Sequence, residues 1–215
     1  MKKLIFILLL SFIGIYMNAQ EHLLPVDKKA KETFYDKEIK RLLIPDDTEF
    51  GMICKPSFEF ESSLTYDSEA RALVYIEADT SIYLRTFRAS HYLEQISERE
   101  FMWKSREITS YNAPGTRMYV LPISDEMVQS LKRLWKVAAI GQDKPIEPLT
   151  FNGNAWEYFI GKKRGKIEVN EKGGKGKVRS LINLTIELRN AVRENDSQKC
   201  AALQSQIDSL YKEFK

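Results

Sequence analysis

The chain has 215 residues, of which 43% are hydrophobic and 11% aromatic. This length suits one domain of ordinary size with short appendages, and the composition supplies enough apolar side chains for a core, which excludes a globally disordered chain. The formal net charge is +3 at pH 7, and two of the positive charges, Lys2 and Lys3, lie in a segment that we expect to be removed.

The first twenty residues have the pattern of a secretory signal peptide. Two lysines precede an apolar run over residues 4–17, and the small residue Ala19 follows it. The alternative is an uncleaved membrane anchor, but this run is shorter than the roughly 20 residues that a spanning helix needs. We predict cleavage after Ala19 or Gln20 and a periplasmic or secreted mature protein with no transmembrane segment.

The two cysteines, Cys54 and Cys200, both lie outside the predicted signal peptide. Export to an oxidising compartment permits a disulfide between them. The alternative is a pair of buried thiols that pack as small apolar side chains. We favour free thiols, because Cys200 lies on the apolar face of a predicted helix.

Residues 21–48 are predicted to form a charged, partly helical leader. Apolar residues recur there at intervals of four or five, with Asp27 as the candidate N-cap and Pro45 ending the helix. The remaining residues, 49–215, are predicted to form a single domain.

Alternating and β-branched segments predict the strands of this domain. Residues 56–61 alternate apolar and acidic side chains, which places Glu59 and Glu61 on one face of a half-buried strand. Residues 72–77 and 81–87 are predicted to pair through a tight turn.

A second hairpin and a helix follow in the chain. Residues 106–111 and 116–121 are predicted to pair across a turn that contains proline and glycine. Ser124 is then predicted to cap a helix over residues 124–140, with acidic residues in its first turn and basic residues later. Its apolar stripe comprises Met127, Leu131, Leu134, Trp135 and Ala138.

The C-terminal third combines one more hairpin with two helices. An aromatic strand, a basic turn over residues 161–165 and a short strand over 166–169 precede a glycine-rich basic loop. Two amphipathic helices follow, joined at residues 194–197 with Asp196 or Ser197 as the cap. The predicted fold class is α+β: a mostly antiparallel meander sheet with one central helix and a C-terminal helical hairpin.

The order of these landmarks is similar to that in a known group of proteins. The segments are KPSFEFESSL at residues 55–64, LWKVA at 134–138, NG at 152–153 and WEYF at 156–159. Between roughly Gly51 and Val192 the chain resembles a loose, uncharacterised family of small secreted proteins of Gram-negative bacteria. The chain departs from that family in its turn residues and in its second C-terminal helix. The resemblance implies secretion and supplies no catalytic residue.

Charge is distributed unevenly along the chain. Residues 21–160 hold 18 basic and 23 acidic residues, whereas residues 162–179 hold eight basic residues and two acids. Such a run is either a solvated turn or an anion-binding face. The candidate anion-binding residues are Lys162, Lys163, Arg164, Lys166, Lys172, Lys175 and Lys177. Export disfavours nucleic acid, which leaves an anionic envelope lipid, an acidic glycan or an acidic protein as partner.

Other candidate sites give weaker patterns. Trp156 and Tyr158 alternate in a strand and therefore share a face, either for ligand stacking or for core packing. No residue pattern predicts a metal site or a cofactor, since His22 and His91 are the only histidines. A thiol–base pair of His91 with Cys54 lacks any nucleophile motif around it.

The sequence therefore favours an exported, non-enzymatic binding or interaction protein of the cell envelope. It would engage an anionic partner through the basic hairpin and loop. The alternatives are an enzyme that acts on envelope material with the carboxylates of Glu59 and Glu61, and a structural or inhibitor-like protein.

Overall fold

The computed structural model describes residues 23–25, 33–56, 59–84, 86, 115–139, 154–169 and 176–215. Several predictions fall outside these residues: the signal peptide, the Asp27 cap, the strand at 106–111, His91, and the loop with Lys172 and Lys175.

Seven antiparallel strands form one open sheet in the order β1-β7-β6-β2-β3-β4-β5. The strands are β1 (Leu24–Pro25), β2 (Thr48–Lys55), β3 (Ser62–Asp67), β4 (Ala72–Ala78), β5 (Thr116–Pro122), β6 (Asn154–Ile160) and β7 (Lys163–Val169). The helices are α1 (Phe34–Leu43), α2 (Asp125–Ala138), α3 (Lys177–Glu194), α4 (Ser197–Ala202) and α5 (Gln204–Phe214). The predicted α+β class is confirmed.

The larger core lies on the inner face of the sheet, beneath α2, α3, α4 and α5. α2 begins where predicted, because the Ser124 hydroxyl accepts a hydrogen bond from the backbone N–H of Met127 at 3.2 Å. Trp135 on this helix is 2% exposed, and its indole Nε1–H donates to the carbonyl oxygen of Gly51 at 2.9 Å. This hydrogen bond ties α2 to β2 at the centre of the core.

The smaller core lies on the outer face, beneath α1. Ile39 and Leu43 of this helix belong to one buried cluster with Ile53, Val74 and Ile76 of the sheet. The helix starts at Phe34, where Thr33 and Asp36 form a reciprocal capping box. The segment predicted as a leader thus supplies a helix to the outer face, and it also supplies β1 to one edge of the sheet.

The strand prediction for residues 56–61 is wrong. β2 ends at Lys55 and β3 begins at Ser62, so Glu59 and Glu61 lie in the connection between them. Glu59 is exposed, whereas Glu61 is buried at 1% exposure. The Glu61 carboxylate accepts hydrogen bonds from the backbone N–H groups of Ile82 and Tyr83, both at 2.8 Å. The alternation therefore does not mark a strand here, and Glu61 instead binds the first turn of a short helical segment.

The prediction of a strand at residues 81–87 is also wrong. Residues 82–84 are helical, and their first N–H groups are the ones bound by Glu61. β4 pairs instead with β5, in a register that aligns Tyr75 with Tyr119. Pairing with a distant segment overrides the local β propensity of residues 81–87.

The C-terminal helical hairpin is present, with one difference from the prediction. Asp196 caps the second arm as predicted, by accepting from the backbone N–H of Lys199 at 2.8 Å. This arm is divided at Leu203 into α4 and α5. Cys54 and Cys200 are both buried free thiols, as favoured from the sequence. Among the residues described, no helix is both long and apolar enough to cross a membrane.

Candidate anion-binding surface

The basic turn predicted between two strands is the β6–β7 turn. Gly161 has a φ of +53°, a left-handed conformation that favours glycine, and Lys162 completes the turn. The side chains of Lys162 and Lys163 are both exposed. The hairpin therefore presents two ammonium groups to solvent at its tip.

Arg164 on the same hairpin is neutralised by a carboxylate. Its guanidinium lies 2.6 Å from Glu157 of β6 and packs over the ring of Phe159, with its centre 5.4 Å from the ring centroid. Glu157 also lies 3.9 Å from Lys55, which in turn pairs with Asp36 of α1 at 2.9 Å. Charges of alternating sign thus cross the outer face from α1 to β7.

A depression lies beside the hairpin turn, where α1 ends. Its volume is about 450 Å³. Its lining residues are Lys40, Arg41, Ile44, Pro45, Asp46, Thr48, Glu49, Phe159, Gly161 and Arg164. The Thr48 hydroxyl is buried and has no hydrogen-bond partner in the part of the chain described. The depression therefore combines three cations with an unsatisfied hydroxyl.

The acids of this depression offset part of its positive charge. Glu49 pairs with Lys132 of α2 at 2.5 Å, and Arg41 pairs with Glu38 at 2.7 Å. Asp46 is exposed at the turn after α1. The depression is thus a mixed surface in which acidic partners compensate part of the charge of the lining cations.

Two further predicted anion-binding residues lie apart from the turn. Lys166 is exposed on β7. Lys177 begins α3, where its ammonium group lies 3.4 Å from the backbone oxygen of Glu213 and 5.3 Å from the ring centroid of Phe214. Lys177 is thus engaged with the last turn of α5.

The structure places both aromatic residues of the predicted stacking face in the core. Trp156 is 4% exposed and Tyr158 is fully buried. The Tyr158 hydroxyl lies 3.0 Å from the hydroxyl of Thr185 on α3, and its ring meets that of Trp135 edge-on at 5.6 Å. Neither ring presents a surface to a ligand, and core packing is their use.

Of the groups considered for catalysis, Glu59, Glu61 and Cys54 lie in the part of the chain described. The Glu61 carboxylate is committed to backbone N–H groups, while Glu59 is exposed. Burial raises the pKa of the Cys54 thiol to about 12, so Cys54 remains protonated at neutral pH. In the part of the chain described, no group of three or more metal-ligating side chains occurs.

A second polar site, which the sequence analysis missed, lies on the inner face at one end of the sheet. We call it the inner arginine cluster: Arg117 of β5 with Arg189 and Arg193 of α3, around Glu77 of β4. The register aligns Glu77 with Arg117, and Arg193 lies 3.7 Å from the Glu77 carboxylate. The only sequence signal was the spacing of the two α3 arginines, one helical turn apart.

Comparisons with protein-family models, with curated proteins and with solved structures gave no match to this chain. The resemblance to a family of secreted proteins therefore stays an expectation from the sequence.

Proposed function

We propose that this is an exported, non-enzymatic binding protein of the cell envelope that engages an anionic partner through the β6–β7 hairpin. Lys162 and Lys163 at the tip and the adjoining depression form the contact surface. Anionic lipid, acidic glycan and acidic protein share the chemistry that such a surface recognises.

The observation that carries the proposal is that the hairpin turn borders the depression, because Gly161 of the turn and Arg164 of β7 both line it. The exposed Lys162 follows Gly161 in this turn, and Lys40 and Arg41 line the depression together with Arg164. A concave surface holds a partner's charged group against several cations at once, whereas an isolated turn does not.

The hairpin tip is expected to contribute more to affinity than Arg164. Arg164 already has a carboxylate partner in Glu157, so a ligand gains little from it unless that pair breaks. Lysines near an anionic membrane surface contribute about 1 kcal/mol each. Loss of both tip lysines should therefore weaken binding about 30-fold.

The test compares a charge-neutral hairpin with a matched control, in protein that begins at Gln20. Lys162→Gln with Lys163→Gln removes the tip charges. Lys199→Gln with Lys212→Gln removes the same charge from α4 and α5. Binding to vesicles containing phosphatidylglycerol and to an acidic polysaccharide is measured at low and moderate salt, since the Debye length falls from about 30 Å at 0.01 M to about 10 Å at 0.1 M.

The expected result is salt-sensitive binding by the native chain and by the control, with the loss confined to the hairpin variant. Binding to the vesicles would identify an anionic lipid as the partner, and binding to the polysaccharide would identify an acidic glycan. Equal binding by both variants, or no binding of the native chain to either probe at low salt, would refute a role for the hairpin.

A further inference from the structure

The inner arginine cluster is built by four elements that topology brings together. The register of the sheet aligns Cys54 with Ser62, Ser62 with Glu77, and Glu77 with Arg117, so these side chains form one row across the inner face. Cys54 and Ser62 are buried and form the floor of the row. α3 crosses above it and supplies the remaining two arginines, Arg189 and Arg193.

Glu77 is the carboxylate at the centre of the cluster, and each of its two oxygens accepts one hydrogen bond. The hydroxyls of Tyr75 and Tyr119 donate to its two oxygens at 2.9 and 3.2 Å. Burial, opposed by Arg189 and reinforced by Glu77, raises the pKa of Tyr75 to about 12, so Tyr75 remains a donor at neutral pH. The central carboxylate thus binds two tyrosine hydroxyls and pairs with the guanidinium group of Arg193.

Arg189 is the member whose charge is least compensated. It is partly buried, and its guanidinium packs over the Tyr75 ring, 5.7 Å from the centroid. Within the described ranges it forms no ion pair, and its Nε–H is buried without an acceptor. Glu59 and Glu61 act electrostatically on the neighbouring Cys54 but form no ion pair with Arg189 among these residues. A cation partly removed from water normally has an anionic partner.

The cluster is accessible from solvent on one side. Half of the Arg193 side chain is exposed, as is 22% of the Glu77 side chain. Arg117 is also exposed. A small anion can therefore reach the guanidinium groups without opening the core, and the two α3 arginines project from the same side of the helix.

We propose that the inner arginine cluster is a second binding site, which takes the oxyanion group of a small ligand, a carboxylate or a phosphate. The planar guanidinium groups of Arg189 and Arg193 match either group through paired N–H donors. The aromatic rings of Tyr75 and Tyr119, stacked at 5.7 Å, form the wall beside it. This site lies apart from the hairpin and does not depend on the hairpin's function.

The test measures the melting temperature of the full mature chain with inorganic phosphate and with benzoate, each against chloride at equal ionic strength. At a ligand concentration ten times Kd, the melting temperature should rise by about 3–6 °C. A rise with phosphate would indicate a phosphate group as the ligand, and a rise with benzoate would indicate a carboxylate. Arg189→Gln with Arg193→Gln should abolish the rise, whereas Lys162→Gln with Lys163→Gln should leave it unchanged.

A second measurement guards against a double variant that fails to fold. In an NMR titration of the native chain with phosphate or benzoate, the side-chain Nε–H signals of Arg189 and Arg193 should shift. The single variant Arg193→Gln changes a half-exposed position and should therefore fold. Its affinity for the ligand should be at least tenfold weaker. The proposal would be overturned if neither ligand raised the melting temperature above that in chloride at any concentration the assay tolerates. Unmoved arginine signals, or an equal rise in the folded arginine variants, would also overturn it.

Discussion

The two faces of the sheet differ in how completely they are covered. Among the described residues, four helices lie over the inner face, where buried side chains form one cluster that extends from Leu23 at one edge to Leu121 near the other. In the part described, α1, with ten residues, and the short helical segment at residues 82–84 are the helices that pack over the outer face. Met118 and Val120 on the outer side of β5 are 58% and 45% exposed.

This difference in coverage means that the two faces contribute differently to the stability of the fold. The inner face removes large aromatic and aliphatic side chains from water, which is the main source of folding free energy. The outer face carries ion pairs that remain partly solvated, such as Arg164 with Glu157 and Lys55 with Asp36. Truncation of a large buried side chain on the inner face should therefore cost several times more free energy of unfolding than loss of one of these outer-face ion pairs.

The largest effect is expected at the centre of the inner face. Trp135→Ala should lower the free energy of unfolding by about 3–5 kcal/mol, because it leaves a cavity and removes the hydrogen bond to Gly51. Denaturant melts measure the loss, with Met118→Ala as the outer-face control, expected within about 0.5 kcal/mol. Similar losses for both variants would mean that the two faces contribute equally.

A smaller effect is expected at the edge of the inner face. A Cβ added at Gly165 of β7 would lie 2.9 Å from the Cβ of Leu23 and 3.3 Å from the Cα of Ala139. Gly165→Ala should therefore displace β1 and cost about 1–3 kcal/mol. Lys163→Ala, an exposed position on the same strand, is the matched control. Unfolding melts with unchanged stability for Gly165→Ala would show that β1 adapts without loss.

Local signals predicted the elements whose partners lie nearby in sequence. Ser124 and the apolar stripe through Trp135 identify α2, and turn residues around Gly161 identify the β6–β7 hairpin. Residues 81–87 were assigned wrongly because pairing of β4 with β5 depends on a distant segment. Neither hydrophobic periodicity nor β propensity specifies which distant strand will pair with β4.

The candidate sites also combine features that local sequence predicts with features that depend on distant parts of the fold. The exposure of Lys162 follows from its place in a turn, and so it could be predicted. The pairing of Arg164 with Glu157 depends on the register of two strands. The inner arginine cluster depends on where α3 crosses the sheet, so Arg189 gave no signal until topology placed it over Tyr75.

The smallest effect is expected at the outer-face ion pair of Asp36 with Lys55. Burial raises the pKa of Asp36, but hydrogen bonds from Thr33 and Lys55 outweigh burial and lower the pKa from 3.8 to about 2. A carboxyl with a lowered folded-state pKa stabilises the fold above its ordinary pKa, and this stabilisation is lost as pH falls towards 2. Solvent screens the pair, so its contribution should be about 0.2–1 kcal/mol.

Asp36→Asn tests this contribution, because it removes the charge and keeps the shape of the side chain. The variant should be less stable than the native chain at pH 7, and the difference should shrink as the pH is lowered from 4 towards 2. Asp46→Asn, at an exposed turn, is the control and should show no such convergence. Urea melts at a series of pH values measure the difference. A constant gap across that range would assign the loss to the helix cap formed with Thr33 rather than to the charge, and would leave the outer face without a titrating contribution from this pair.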